Sequence, residues 1–298
     1  MSDYILSCCS TADLDKKTFD ELDISYIPFH FSLNGVEYED DFGKTISYED
    51  FYARMKKGED TKTSQVTVGE FVNYFEKFLI DGKDILHVTL SSGISGVYNS
   101  AYTASQQLKE KYPNRKIFIV DSLAASSGYG LLMYKLAMLK KENLSIEDLK
   151  SYAEAHKLNV NHWFFSTDLS FYVKGGRIKK ASAVVASVLH ICPVLDVNEK
   201  GQLTPKEKPI SVKMAINSLI KKMKLLADNN ENYNDDVFIC HSVCENYVNN
   251  LITNIKKNFP NIADEKIKVF PIGTTIGAHT GPGTVALFFI GKSRGIKE

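Results

Sequence analysis

Residues 85–104 read Ile85-Leu86-His87-Val88-Thr89-Leu90, then Ser91-Ser92-Gly93-Ile94-Ser95-Gly96, then Val97-Tyr98-Asn99-Ser100-Ala101-Tyr102-Thr103-Ala104. An apolar strand that empties through a Ser/Gly turn into a helix is the repeating unit of a parallel α/β sheet. The same turn has chemical meaning. Backbone N–H groups at a helix start lack intrahelical partners, the helix dipole favours negative charge, and serine hydroxyls add uncharged donors. Two readings follow for the turn: a site for a carboxylate, phosphate or sulfate, or a tight turn with a serine cap.

Working outward, a strand is predicted at Tyr4 to Ser7 and another at Lys116 to Ser122. Helices are predicted from Val68 to Leu79, from the serine turn to Lys111, near Gly130 to Lys141, and from Ile146 to Lys157. This strand–helix order predicts a parallel sheet with helices on both faces. The apolar stretch Ile24 to Leu33 runs into Asn34-Gly35, a hairpin signal, with Val36-Glu37-Tyr38 returning as a small β-ribbon. Ser47 to Lys56 reads as a helix with Ser47 as its cap. Gly58 to Gln65 reads as a polar loop.

Beyond residue 160 the order changes. Strands are expected at Asn161 to Thr167, Cys192 to Val197, Gln202 to Lys206, Val237 to Cys240, Lys266 to Pro271 and Val285 to Gly291. Helices are expected at Ala181 to Leu189, Ser211 to Ala227 and Asn246 to Asn258. The fold class expected is therefore α/β in two domains: an N-terminal parallel-sheet domain with its β-ribbon over 1–159, and a C-terminal α+β domain over 160–298.

Composition narrows the function. Lys+Arg and Asp+Glu number 36 each, so the formal net charge is zero and nothing draws the chain generally to nucleic acid or to an anionic membrane. No apolar run approaches the ~20 residues that span a bilayer, and the first ten residues do not resemble a signal peptide, so a cytoplasmic location is expected. The five cysteines make no disulfide framework. Cys240-His241-Ser242-Val243-Cys244 lacks a second Cys/His pair at a zinc spacing, so no metal is expected. The chain has no phosphate-binding G-x-x-x-x-G-K-[ST], no G-x-G-x-x-G after a strand and no G-x-S-x-G elbow; no nucleotide or other cofactor is expected.

Three further segments carry candidate chemistry. Thr61-Lys62-Thr63-Ser64-Gln65-Val66-Thr67 precedes a helix, and its hydroxyls either cap that helix or face the serine turn. Lys174-Gly175-Gly176-Arg177-Ile178 sets a guanidinium on a turn, either as solvated surface or to clamp an anion or reach a partner. Gly273-Thr274-Thr275-Ile276-Gly277-Ala278-His279-Thr280-Gly281-Pro282-Gly283 surrounds one imidazole with glycines, which suits presentation to a ligand or simple turn geometry.

Taken in order, Thr63-Ser64-Gln65, Ser91 to Gly96 with Tyr98, Asp121-Ser122 with the Ala/Ser/Gly turn after it, Lys174 to Ile178 and His279 to Gly283 resemble the DegV family of fatty-acid-binding proteins. The match spans nearly the whole chain. Two positions depart from the family's pattern: Val66 stands where proline is frequent, and Cys192-Pro193 where Lys-Pro is frequent. The resemblance implies a long-chain fatty acid held between two domains, its carboxylate on polar groups and its tail in an apolar tunnel. It also implies a non-catalytic carrier that presents the acid to a separate ATP-dependent fatty acid kinase for acyl-phosphate formation, with at most transient membrane contact and no nucleic acid.

On that footing Thr63, Ser64, Ser92, Ser95 and His279 are the expected carboxylate-binding residues, and Arg177 the expected contact for the kinase or the phosphoryl group. Thr63 and Ser95 belong to turns that a parallel sheet can bring to one edge, beyond the carboxyl ends of its strands. A tail of ~14 methylenes at ~0.8 kcal/mol each supplies on the order of 10 kcal/mol before ordering costs. Two other functions fit the same residues: a small-molecule hydrolase or transferase using Ser95 and His279, and a lipid-sensing regulatory module. The first predicts turnover without a partner protein; the second predicts lipid binding without phosphorylation.

Overall fold

The computed structural model describes residues 4–178 and 191–295; the helix expected over Ala181 to Leu189 lies outside them. A four-stranded, wholly parallel sheet has the order β2 (Ile24–Ile27), β1 (Tyr4–Cys9), β6 (Asp84–Thr89), β7 (Ile117–Asp121). Helices α3 (Val68–Ile80) and α4 (Val97–Lys111) pack together on one face, and α5 (Ser126–Lys141) and α6 (Ile146–His156) together on the other; the short α1 (Lys16–Glu21) borders β2. Local signals start these helices. Thr67 and Glu70 close a capping box at α3, and Ser145 caps α6. One boundary differs from expectation: α5 begins at Ser126, four residues before Gly130.

The run from Ile24 to Leu33 is not one strand. It divides around Pro28, which has no N–H to give a ladder, so β2 enters the parallel sheet while β3 (His30–Leu33) enters a ribbon. That antiparallel ribbon has the order β4 (Val36–Glu39), β3, β5 (Thr61–Ser64). The predicted polar loop over Gly58 to Gln65 thus contains a strand: four polar residues become β5 because β3 offers them a free edge. Helix α2 (Tyr48–Lys56), capped by Ser47 as expected, covers the ribbon with Phe51, Tyr52 and Met55.

Six strands from Val160 onward form a mixed sheet ordered β10 (Leu203–Glu207), β9 (Val194–Val197), β8 (Val160–Ser166), β13 (Thr284–Ile290), β11 (Val237–His241), β12 (Ile267–Pro271), parallel only between β11 and β12. Side chains alternate across it as a strand's period of two requires. Trp163 and Phe165 join the core under α8 (Val212–Leu226) and α9 (Glu245–Asn258), whereas Phe164, Cys240 and Phe288 face the core shared with the parallel sheet. Helix α5 lies between the two sheets and touches β8, β11 and β13. It comes this close because residue 128 is glycine: a Cβ there would collide with the His162 ring and Phe288. The glycine-rich segment also departs from expectation. Instead of a loop it contains the helix α10 (Thr274–Thr280), which packs on β3, β5, α2 and the short α7 (Ser170–Lys174).

Two carboxyl groups are buried where the halves meet. Asp13 is 3% exposed and Asp40 2%. Thr274 Oγ1 donates to Asp40 Oδ1 at 2.8 Å, Ser10 Oγ to Asp40 Oδ2 at 3.2 Å, and Ser126 Oγ to Asp13 Oδ2. Burial, and then Asp40 beside it, push the Asp13 carboxyl well above the ordinary 3.8. The folded protein therefore keeps a proton that the unfolded chain releases, and stability falls as pH rises above about 3.8 through the folded pKa. Asp13→Asn is expected to flatten that slope. Denaturant unfolding across the pH series measures it, and an unchanged slope would refute this account of Asp13.

Candidate functional site

Between the sheets lies a cavity enclosing about 720 Å³ of non-atom space, its open mouth included. Leu90, Ile94 and Ala125 line it from the parallel-sheet side, and Phe164, Ala286 and Phe288 from the mixed sheet. Phe29, Thr63, Ile94, Ser95 and Arg177 line both this cavity and the cleft that opens it to the surface, which Ser64, Gln65, Thr67 and Gly96 complete. The interior is apolar and the mouth polar.

Three distant segments build the mouth. Strand β5 carries Thr63, the turn between β6 and α4 carries Ser95, and α10 carries His279. Thr63 Oγ1 and His279 Nε2 share a hydrogen bond of 2.7 Å, while His279 Nδ1 is buried without a partner. Whichever tautomer forms, Nδ1 packs against Gly175 and the ring reaches Thr63 through Nε2. Burial, and then the Arg177 guanidinium, lower the His279 pKa to about 4, so the imidazole is neutral at pH 7. Gly175 permits this placement, because a Cβ there would collide with His279 Nδ1.

The serine turn divides its labour. Ser91 is wholly buried and structural: its Oγ accepts from Gly93 N at 3.0 Å and donates to Gly201 O at 2.8 Å. Ser92 is exposed, its N–H bonded to Asp121 Oδ1 at 3.1 Å, and it does not line the cavity. Ser95 does line it. Its Oγ accepts from Val97 N at 3.2 Å and donates to Gln65 Oε1 at 3.4 Å, so one side chain both braces the first residue of α4 and forms part of the cavity wall. Ser64 is exposed at the outer mouth. Adjacent strand residues point to opposite faces, so Thr63 and Ser64 differ in this way.

Arg177 turns inward to the mouth instead of outward from its turn. Its Nε donates to Ile94 O at 3.3 Å and its Nη1 to Gly175 O at 2.6 Å. Among the described residues no carboxylate pairs with it, which leaves Nη2 for an anion. The mouth therefore combines hydroxyls, a neutral imidazole and one guanidinium charge, where the sequence alone suggested only hydroxyls and the imidazole around a carboxylate.

Sequence reasoning missed several lining residues. Tyr172 reaches Thr284 Oγ1 at 3.3 Å with no signal in its surroundings to announce it. Ser126, Thr275 and Thr280 also line the cavity, the last two from within the glycine-rich segment. Of the seven buried side-chain polar atoms without a partner among the described residues, three belong to α10 (Thr275 Oγ1, His279 Nδ1 and Thr280 Oγ1), and all three residues line the cavity.

Comparison with known proteins finds relatives over nearly the whole chain. The model of the family described as "Uncharacterised protein, DegV family" matches residues 9–292. A DegV domain-containing protein of Clostridium perfringens is 36% identical over 295 residues, covering 99% of each chain. The crystal structure of DegV, a fatty acid binding protein from Bacillus subtilis, is 26% identical with a TM-score of 0.83, covering 98% of this chain and all of that one. A stearic acid-binding protein of Eubacterium ventriosum is 25% identical with a TM-score of 0.87, covering 97% of this chain and 98% of that one.

Proposed function

The chain belongs to the DegV family, and on that premise we propose that it binds a long-chain fatty acid between its two domains, residues 1–159 and 160–298, and presents the carboxylate to a separate ATP-dependent fatty acid kinase. One observation carries the reading: an apolar cavity whose mouth gathers Thr63, Ser95, His279 and Arg177. The carboxylate lies against Thr63, Ser95 and His279, with Ser64 and Ser92 in outer positions, and the tail fills the interior. Arg177 meets the phosphoryl group or the kinase. The protein itself is a carrier and not a catalyst, and works in the cytoplasm. No helix among the described residues is long and apolar enough to cross a membrane, which fits transient membrane contact at most.

The hydrolase or transferase reading needs His279 as a base for Ser95. His279 Nε2 is bonded to Thr63 and Ser95 Oγ to Gln65, and no hydrogen bond joins Ser95 to His279. This favours the carrier.

Native purification, organic extraction and mass spectrometry test the proposal. An acyl chain at near-stoichiometric yield is expected, with no turnover by the protein alone. Recovery of nucleotide or sugar without acyl chains would reject it. Lipid binding with no acyl-phosphate formed by any matching kinase and ATP would leave the regulatory-module reading instead.

A further inference from the structure

The mixed sheet forms the floor of the cavity, and its register sorts the lining side chains into rows. Nearest the mouth, Thr284 on β13 lies opposite Ser166 on β8, and Thr284 Oγ1 donates to Thr280 O at 3.1 Å, next to His279. Two residues farther along the strands, Ala286 lies between Cys240 and Phe164. Two residues beyond that, Phe288 lies opposite His162. The pairing of Trp163 with Asp196 brings Val197 beside His162 at the next position, and Leu203 pairs with Val197. At ~3.3 Å per residue, this last row stands roughly 13 Å from the first.

The rows differ in bulk. The middle one carries two small side chains, Ala286 and Cys240, which leave room for an acyl chain to run over the sheet. Leu203, Val197, His162 and Phe288 are large, and all four line the cavity side by side across four strands. Val160 and Ile290, paired two residues farther on, do not line it. The cavity therefore ends at the row of Val197 and His162. Past that row the surroundings turn polar: the same two residues line a second pocket, shared with Asp196, Lys206 and Arg294. A chain end pushed through would strip water from charged groups.

The end row is also held in place. His162 Nδ1 donates to Val160 O at 2.9 Å, which leaves Nε2 to accept from Ala125 N at 3.4 Å. Burial, and then the Arg294 charge, keep its pKa well below 6.5, so a neutral ring faces the apolar cavity. Arg294 fastens the wall from behind. Its Nη1 donates to Val197 O at 3.1 Å and Asn198 O at 2.8 Å, and its Nη2 to Leu123 O at 2.8 Å. A packed wall tied down in this way resists a chain that is too long for it.

We infer that Val197, braced by His162, sets the longest acyl chain this protein accepts: the terminal methyl stops against it when the carboxylate lies at His279. The inference rests on the fatty-acid reading above and names the residue that limits the tail.

The test is competitive displacement of a fluorescent fatty acid from the delipidated full-length protein by the saturated acids from laurate to behenate. Affinity is expected to rise about fourfold with each added methylene up to one optimal length, and to fall about tenfold for the next longer acid. Val197→Ala should restore that loss of about tenfold, and Val197→Leu should move the optimum to a shorter acid. Val194 is on the same strand but belongs to the core under α8 and α9, so Val194→Ala should leave the optimum where it is. Thermal unfolding checks the fold of all three variants. Affinity climbing unbroken to behenate in the native protein, an optimum unmoved by both Val197 variants, or one moved as far by Val194→Ala would overturn this inference and leave the fatty-acid reading standing. Failure of every acid to bind would overturn that reading and this inference together.

Discussion

His279→Ala is expected to weaken fatty-acid binding by about tenfold to a hundredfold, the worth of one hydrogen bond to a charged group. The imidazole is the one mouth residue whose ring already holds a partner, Thr63 at 2.7 Å, and still has a buried polar atom unpaired. In the empty protein that atom stabilises nothing, so thermal unfolding of the lipid-free variant should lose no more than the Thr63 hydrogen bond, about 1 kcal/mol, while calorimetric affinity falls. If the lipid-free variant unfolds, His279 is structural. A second measurement uses the ring's titration. Empty, it titrates at about 4, held down by burial and then by Arg177. A carboxylate arriving beside it favours the protonated ring and offsets the Arg177 charge, so the NMR titration of the imidazole should move upward on fatty-acid binding. A midpoint unmoved by a bound acid would place the carboxylate elsewhere.

Arg177→Ala is expected to lower acyl-phosphate formation by the matching kinase and ATP about a hundredfold or more, while the yield of extracted fatty acid stays as it was. The guanidinium is anchored through Nε and Nη1 to the Ile94 and Gly175 carbonyls, which aims its remaining edge at the mouth. A phosphoryl group added to the carboxylate grows outward past this edge, and its oxygens suit a two-pronged donor. Arg177→Lys keeps the charge and loses the fork, so it should restore only part of the rate. Loss of lipid binding in the alanine variant would move Arg177 into the carboxylate site, and unchanged phosphorylation would return it to ordinary surface.

Much of this molecule is legible along the chain because neighbouring residues determine it. The run from Ile85 through the serine turn to Ala104 announces strand, turn and helix, since period-two apolar residues, glycines and a helix start are read within a few positions. Asn34-Gly35 marks a hairpin, and Ser47 and Thr67 mark helix starts, for the same reason: the groups that satisfy one another are three or four residues apart. The order of motifs also announced the family; of the residues it implied, Thr63, Ser95, His279 and Arg177 line the cavity and Ser92 does not.

Other features depend on segments that meet only after folding. Thr61 to Ser64 has no strand pattern of its own and becomes β5 through the edge of β3. Gly273 to Gly283 reads as loop because its glycines weaken helix propensity, yet packing against the ribbon, α2 and α7 holds seven of its residues as α10. The inward turn of Arg177 follows from carbonyls at Ile94 and Gly175, the first of them 83 residues away. Thr63 and His279 stand 216 residues apart and meet only because α10 crosses from one half of the chain to the other. Period, caps and turns are local energies that a sequence displays. A cavity is what two folded halves leave unfilled between them, and its volume, its polar mouth and the hydroxyls of Ser126 and Thr275 on its wall depend on side chains that only the tertiary structure makes neighbours.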